Sequence, residues 1–105
     1  MLDLNFKSPD EILTLLCERL RQQRLRRQFT QAELAQRAGT GVNTVSNLEA
    51  GRNISFEVVV RVAMVLGLSG ELENLFLPQL ESLDDLRHFE ASVSRQRIRK
   101  KSHIA

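Results

Sequence analysis

Between Thr30 and Leu48 the chain fits two helix starts around a single stop, and this leaves no room for a strand. Thr30-Gln31-Ala32-Glu33 has the form of a capping box, in which the Thr hydroxyl and the Glu carboxylate satisfy amides of the first turn. The short helix it opens runs through about Arg37. Gly39 follows as the residue able to take the left-handed conformation that ends a helix. Thr40-Gly41 then leads into another helix over about 41–49, where Val45 and Leu48 are apolar three residues apart. Two short helices joined by so tight a turn can only pack against each other at an angle, and the rest of the fold must be built around that corner.

The flanking sequence is helical too. Ser8-Pro9-Asp10-Glu11 combines a cap, a Pro at the first helical position and a capping-box acid after a loose lead-in over residues 1–8. Leu13, Leu16, Cys17, Leu20 and Leu25 recur behind it, and arginines crowd the far end, where the helix dipole favours cations. The spacing predicts a helix over about 9–27. Gly51-Arg52-Asn53 reads as a loop, and Ser55 caps a further helix with Phe56, Val59, Val62, Ala63 and Leu66 on one face. The valines at 58–60 have strand propensity, but the cap, the length and the lack of a partner strand decide for helix. Gly67 closes it. Ser69 is expected to cap a fifth helix containing Leu72, Leu75 and Phe76, and Pro78 breaks the pattern. A sixth helix from Ser82 has a thin stripe of Leu83, Leu86 and Val93, with Phe89 offset. The expected architecture is all-α: five helices over residues 9–78, then a partly helical extension over 79–105 with a basic tail.

Composition agrees. Hydrophobic residues are 42% of the 105 and charged residues 27%, enough for one packed core and too apolar for a disordered chain. The aromatic side chains are five Phe, with no Trp or Tyr, unlike a small β-barrel. A single cysteine excludes an intramolecular disulfide framework and a Cys-based zinc site. Cys17 shares a face with Leu13 and Leu20 and reads as a core thiol, and His88 and His103 have no ligand set around them. No apolar run approaches a membrane span and no leader pattern opens the chain, so a soluble, cytoplasmic protein without membrane partners is expected. No nucleophile–base pair, paired-carboxylate site or phosphate-binding glycine loop is present, so neither catalysis nor a cofactor is expected.

Charge is strongly segregated. Residues 1–70 hold nine basic and seven acidic side chains; residues 71–90 hold six acids against Arg87; residues 91–105 hold five cations and no acid. Such separation goes with polyanionic or charged protein partners, while a solvated tail is the plain alternative. The helix over 41–49 differs from both ends. Its outward positions carry Val42, Asn43, Thr44, Ser46 and Asn47, short and uncharged until Glu49. Amides can hydrogen-bond base edges and methyls can meet thymine methyls in a major groove, so this surface fits DNA. A polar helical hairpin with no ligand has the same letters, but a pair of this kind set second and third among four or five helices favours the helix-turn-helix reading.

The stretch FTQAELAQRAGTGVNTVSNLEAGR, followed by an apolar helix ending LGL, resembles the lambda-repressor-like helix-turn-helix domain of bacterial and phage regulators over residues 16–77. The resemblance implies that the third helix is the recognition helix and that Gln31 holds a DNA phosphate. It implies that Gly41, Val42, Asn43 and Thr44, with Asn47 one turn on, face bases or adjacent phosphates, and that Arg52 and Asn53 approach the backbone. Val42 departs from the polar residue, often Gln, of many relatives, and implies apolar contact there. Arg26 and Arg27 are candidate phosphate contacts, as are Arg95, Arg97, Arg99, Lys100 and Lys101, which read as a flexible arm serving DNA, a protein or neither. The layout is similar to the HipB-like antitoxins, which bind palindromic operators as homodimers and hold a HipA-type kinase toxin inactive; a stand-alone phage-type or restriction–modification controller shares the same domain. For a dimer, the fifth helix is the expected surface, with Leu83 and Leu86 continuing it.

Overall fold

The described residues form six α-helices, each starting where the chain supplies an N-terminal signal or a turn. The computed structural model describes residues 3–79 and 82–104, with side chains as far as Arg95. The helices are α1 (Pro9–Arg26), α2 (Gln31–Ala38), α3 (Val42–Glu49), α4 (Phe56–Val65), α5 (Ser69–Asn74) and α6 (Leu83–Ile104). Among the described residues there is no strand. The chain divides into two compact units, Met1–Leu75 and Phe76–Ala105.

Local chemistry sets the boundaries of the first unit. Both capping boxes form: Ser8 Oγ accepts from Glu11 N and Thr30 Oγ1 from Glu33 N, while each glutamate accepts from its cap residue's amide. The bonds from Ser8, its backbone N–H first, hold the Glu11 carboxyl below its ordinary pKa. Gly39 ends α2 at φ 68°, and Ser55 Oγ caps α4 by accepting from Val58 N. The lead-in is more ordered than expected, since Leu4–Phe6 forms a 3-10 turn capped by Asp3.

The core lies where α2 meets its neighbours. Leu34, Ala35 and Ala38 from α2, Val45 from α3, and Val62 and Leu66 at α4 form one buried cluster, walled by Leu20, Phe29, Val58, Val65 and Leu68. The small residues Ala35 and Ala38 let α2 pack closely against both α3 and α4. Cys17 is buried, and burial pushes its thiol pKa up, away from the reactive thiolate. Arg61 of α4 pairs with Glu57 and reaches the carbonyls of Ala38 and Gly39, tying α4 to the α2–α3 turn.

Three expectations are corrected. Leu13, Leu16 and Leu25 of α1 are exposed, and the buried face instead holds Cys17 and Arg24. Helix α5 has only six residues: Leu68 is its cap, Ser69 already lies inside it, Leu75 is extended and Phe76 turns at φ 60°. Gly70 weakens so short a helix, and Pro78 disfavours helical geometry at the residue before it. The basic run, read from sequence as an arm, continues α6, whose backbone is helical through Ile104.

Candidate nucleic-acid interface

The exposed and half-buried side chains of helix α3 are all uncharged, and its one acid, Glu49, is buried. Gly41 occupies its cap position with extended backbone and no side-chain bond. Val42 is 46% exposed, Asn43 is exposed, Thr44 and Asn47 are half-buried, and Val45 and Leu48 point into the core. The alternation follows from the 3.6-residue period: burying 45 and 48 turns 42, 43 and 47 outward or to the rim. The Asn47 carbonyl accepts from Arg52 N at 2.8 Å, which folds the following loop back onto α3. Arg52 and Asn53 are both exposed there, Asn53 at φ 47°, a conformation asparagine tolerates better than most residues.

Sequence reasoning missed the group that fixes α3 in place. Arg24, near the end of α1, is buried and forms a bidentate pair with Glu49 at the last residue of α3: Nε to Oε2 at 2.6 Å and Nη2 to Oε1 at 3.0 Å. Its remaining nitrogen, Nη1, donates to the Phe29 carbonyl in the α1–α2 turn at 2.8 Å. Glu49 Oε1 also accepts from Gln31 Nε2 at 2.9 Å. Four side-chain hydrogen bonds therefore join α1, its following turn, the first residue of α2 and the last of α3. Among the described residues no buried side-chain nitrogen or oxygen lacks a partner, so the pair has the satisfied geometry that a buried ion pair requires. A signal for it was present in the sequence: Arg24 lies four residues beyond Leu20, in register with Cys17.

The predicted contacts fall into separate places. Gln31 lines a shallow polar hollow with Glu18, Arg21, Ser46 and Glu49, beside α3. Arg26 lines a different hollow with Arg19, Gln22, Gln23 and Glu71, between α1 and α5. Arg27 lies beside Gly67 at the end of α4, so close that a Cβ built on that glycine would sit 2.5 Å from Nη2. Arg95 is exposed on α6, in the second unit, and the side chains of Arg97, Arg99, Lys100 and Lys101 lie outside the described residues.

A family model described as a helix-turn-helix domain matches residues 15–76, more than half the chain. The chain belongs to that helix-turn-helix family. A search of curated proteins finds no match. The matched segment runs from α1 through α5 and contains the α2–α3 corner, so this helix-turn-helix protein carries a DNA-binding domain of a regulator. Among the described residues no helix is long and apolar enough to cross a membrane, and no group of three or more His, Cys, Asp or Glu could hold a metal ion.

Proposed function

We propose that the protein is a sequence-specific transcriptional repressor that binds a palindromic operator as a homodimer, acting by binding and not by catalysis. The observation that carries this is α3: an exposed helix with short neutral side chains, anchored at its far end by a buried bidentate ion pair. One such helix reads only a few base pairs, and a dimer doubles that at half-sites about one helical turn apart. In this reading Asn43 and Asn47 read base edges, Val42 and Thr44 meet methyl groups, and Gly41, Gln31, Arg52 and Asn53 meet the sugar–phosphate backbone. Asn43→Ala should weaken operator binding by roughly 1–3 kcal/mol, the scale of a lost base contact, and leave binding to random DNA almost unchanged. Fluorescence anisotropy on both DNAs measures this. Equal losses on the two would place Asn43 against phosphate and sink its assignment as a reader.

The basic run has its own test. Were all five cations on an extended arm, neutralising them would flatten the log–log salt dependence by roughly four units. On a helix, positions 95 and 99 recur on one side and 97 and 101 on another, so one DNA surface engages two or three of them. Exchanging all five for glutamine should therefore flatten the slope by about two units on a single half-site, where dimerisation plays no part. An unchanged slope would assign the run to a protein partner or to solvent.

We also carry forward the antitoxin reading, in which the extension holds a HipA-type kinase toxin inactive. It is supported by the layout, a helix-turn-helix unit followed by a separate charged helix. Co-purification of such a kinase from the native host, together with loss of its activity on adding this chain, is the expected result. A chain that binds operator and leaves the kinase active is a stand-alone regulator.

A further inference from the structure

The hollow that holds Gln31 is a meeting point of hydrogen-bond donors. Its walls are Glu18 and Arg21 of α1, Gln31 at the start of α2, and Ser46, Glu49 and Ala50 at the end of α3. Glu49 is buried, and its charge is balanced by Arg24. Three side chains keep donors to spare. Gln31 has the second hydrogen of Nε2, and the Ser46 hydroxyl bonds to no described residue. Arg21 has one partner, Glu18, whose Oε1 accepts from Nη1 at 3.1 Å; its Nε and Nη2 bond to no described residue. Arg21 lies three residues before Arg24, so one side of α1 carries a buried arginine that anchors α3 and an exposed one at the rim. Ser46 lies three residues beyond Asn43 on α3, which sets the hollow at the edge of that helix's exposed surface.

From this arrangement we infer that Glu18 is a built-in competitor of DNA: it holds Arg21, which once released joins Gln31 and Ser46 on a backbone phosphate. The inference rests on the DNA-binding reading above and adds to it one cation and a brake on that cation. A guanidinium, an amide and a hydroxyl suit a tetrahedral oxyanion, and the planar fork of arginine takes two phosphate oxygens at once. Of the two carboxylates in the hollow, Glu49 is neutralised from the interior and Glu18 by Arg21 alone. The Glu18 and Arg21 side chains are 44% and 45% exposed, so their pair is screened, weak and open to exchange. An arriving phosphate draws Arg21 away from Glu18 and then has that carboxylate beside it. Affinity is thereby held below what the donors alone would give. The α1 arginines expected from sequence do not fill this role, since Arg26 lies in the hollow with Glu71 and Arg27 beside Gly67. A phosphate contact carries no base information, so Glu18 lowers binding to every DNA sequence alike.

The test is a double-mutant cycle on Glu18 and Arg21 in the full chain, with Kd for random-sequence duplex DNA measured by fluorescence anisotropy across salt. Glu18→Gln should tighten binding about five-fold at low salt, the size of one charge pair at contact distance in water. With Arg21→Gln already in place, the same exchange should gain only about two-fold, because no cation is left for Glu18 to withhold. Arg21→Gln in the Glu18→Gln chain should flatten the log–log salt slope by about 0.9, the share of one phosphate. Glu71→Gln is the control: it removes the same charge from the hollow of Arg26 and should change Kd by less than about two-fold. Glu18 and Arg21 form an exposed pair within one turn of α1, so urea melts should find every variant as stable as wild type. A gain from Glu18→Gln as large without Arg21 as with it, an equal gain from Glu71→Gln, or no gain at all would each overturn the inference and leave DNA binding standing. A wild-type chain that binds no DNA would overturn the reading beneath it as well.

Discussion

Glu49→Ala is expected to destabilise the first unit by about 3–5 kcal/mol, the range for removing one partner of a buried ion pair. The guanidinium of Arg24 would remain buried, still held by the Phe29 carbonyl but without its counter-charge. A small domain has only about 5–15 kcal/mol to lose, so the variant should populate unfolded chains at physiological temperature. Arg24→Ala should cost a similar amount from the other side. The double exchange Arg24→Met with Glu49→Leu should recover most of the loss, because apolar side chains of similar volume often replace a buried pair at little cost. Urea melts of the three variants measure this. A double variant no more stable than Glu49→Ala would mean that the helices need the pair's geometry and not merely charge neutrality.

The second large effect is expected in the apolar core. Leu34 has no exposed surface and lies in α2 between Val45 and the α4 residues Val62 and Leu66. Leu34→Ala should cost about 2–5 kcal/mol through lost burial and the cavity left behind. For a domain of this size that lowers Tm by about 10 °C or more. Met64, on the exposed side of α4, is the control: Met64→Ala should fall within about 0.5 kcal/mol of wild type. Equal shifts for the two would show that the α2 corner is not where the unit's stability is concentrated.

The sequence announced its helices because helix ends are local. Ser8 with Glu11, Thr30 with Glu33, and Gly39 each act within four residues, and each was legible. So was the burial of Val45 and Leu48, because turning them inward follows from period alone. The Arg24–Glu49 pair was not legible, because it joins residues 25 apart on different helices and inverts the usual reading of an arginine near a helix end. Its one trace was register, Arg24 falling on the Cys17–Leu20 face. Arg27 was obscured in the same way: its place beside Gly67 depends on where α4 ends in space. The end of α5 failed for the opposite reason. There the apolar letters Leu75 and Phe76 kept the right spacing while Gly70 and the approaching Pro78 had already weakened the helix.

The bond from Gln31 to Glu49 bears on the entropy of recognition. A free glutamine side chain on a helix samples many rotamers, and fixing one costs up to about 1.5–2 kcal/mol. In this protein the Gln31 amide is already held at 2.9 Å by a carboxylate that is itself clamped by Arg24, so most of that freedom is lost when the domain folds. The amide group is also oriented: Nε2 spends one hydrogen on Glu49, and its second hydrogen keeps a fixed direction. If Gln31 meets a DNA phosphate as proposed, that phosphate would find a donor that need not be searched for or frozen in place, and the contact would add affinity with little ordering penalty at the moment of binding.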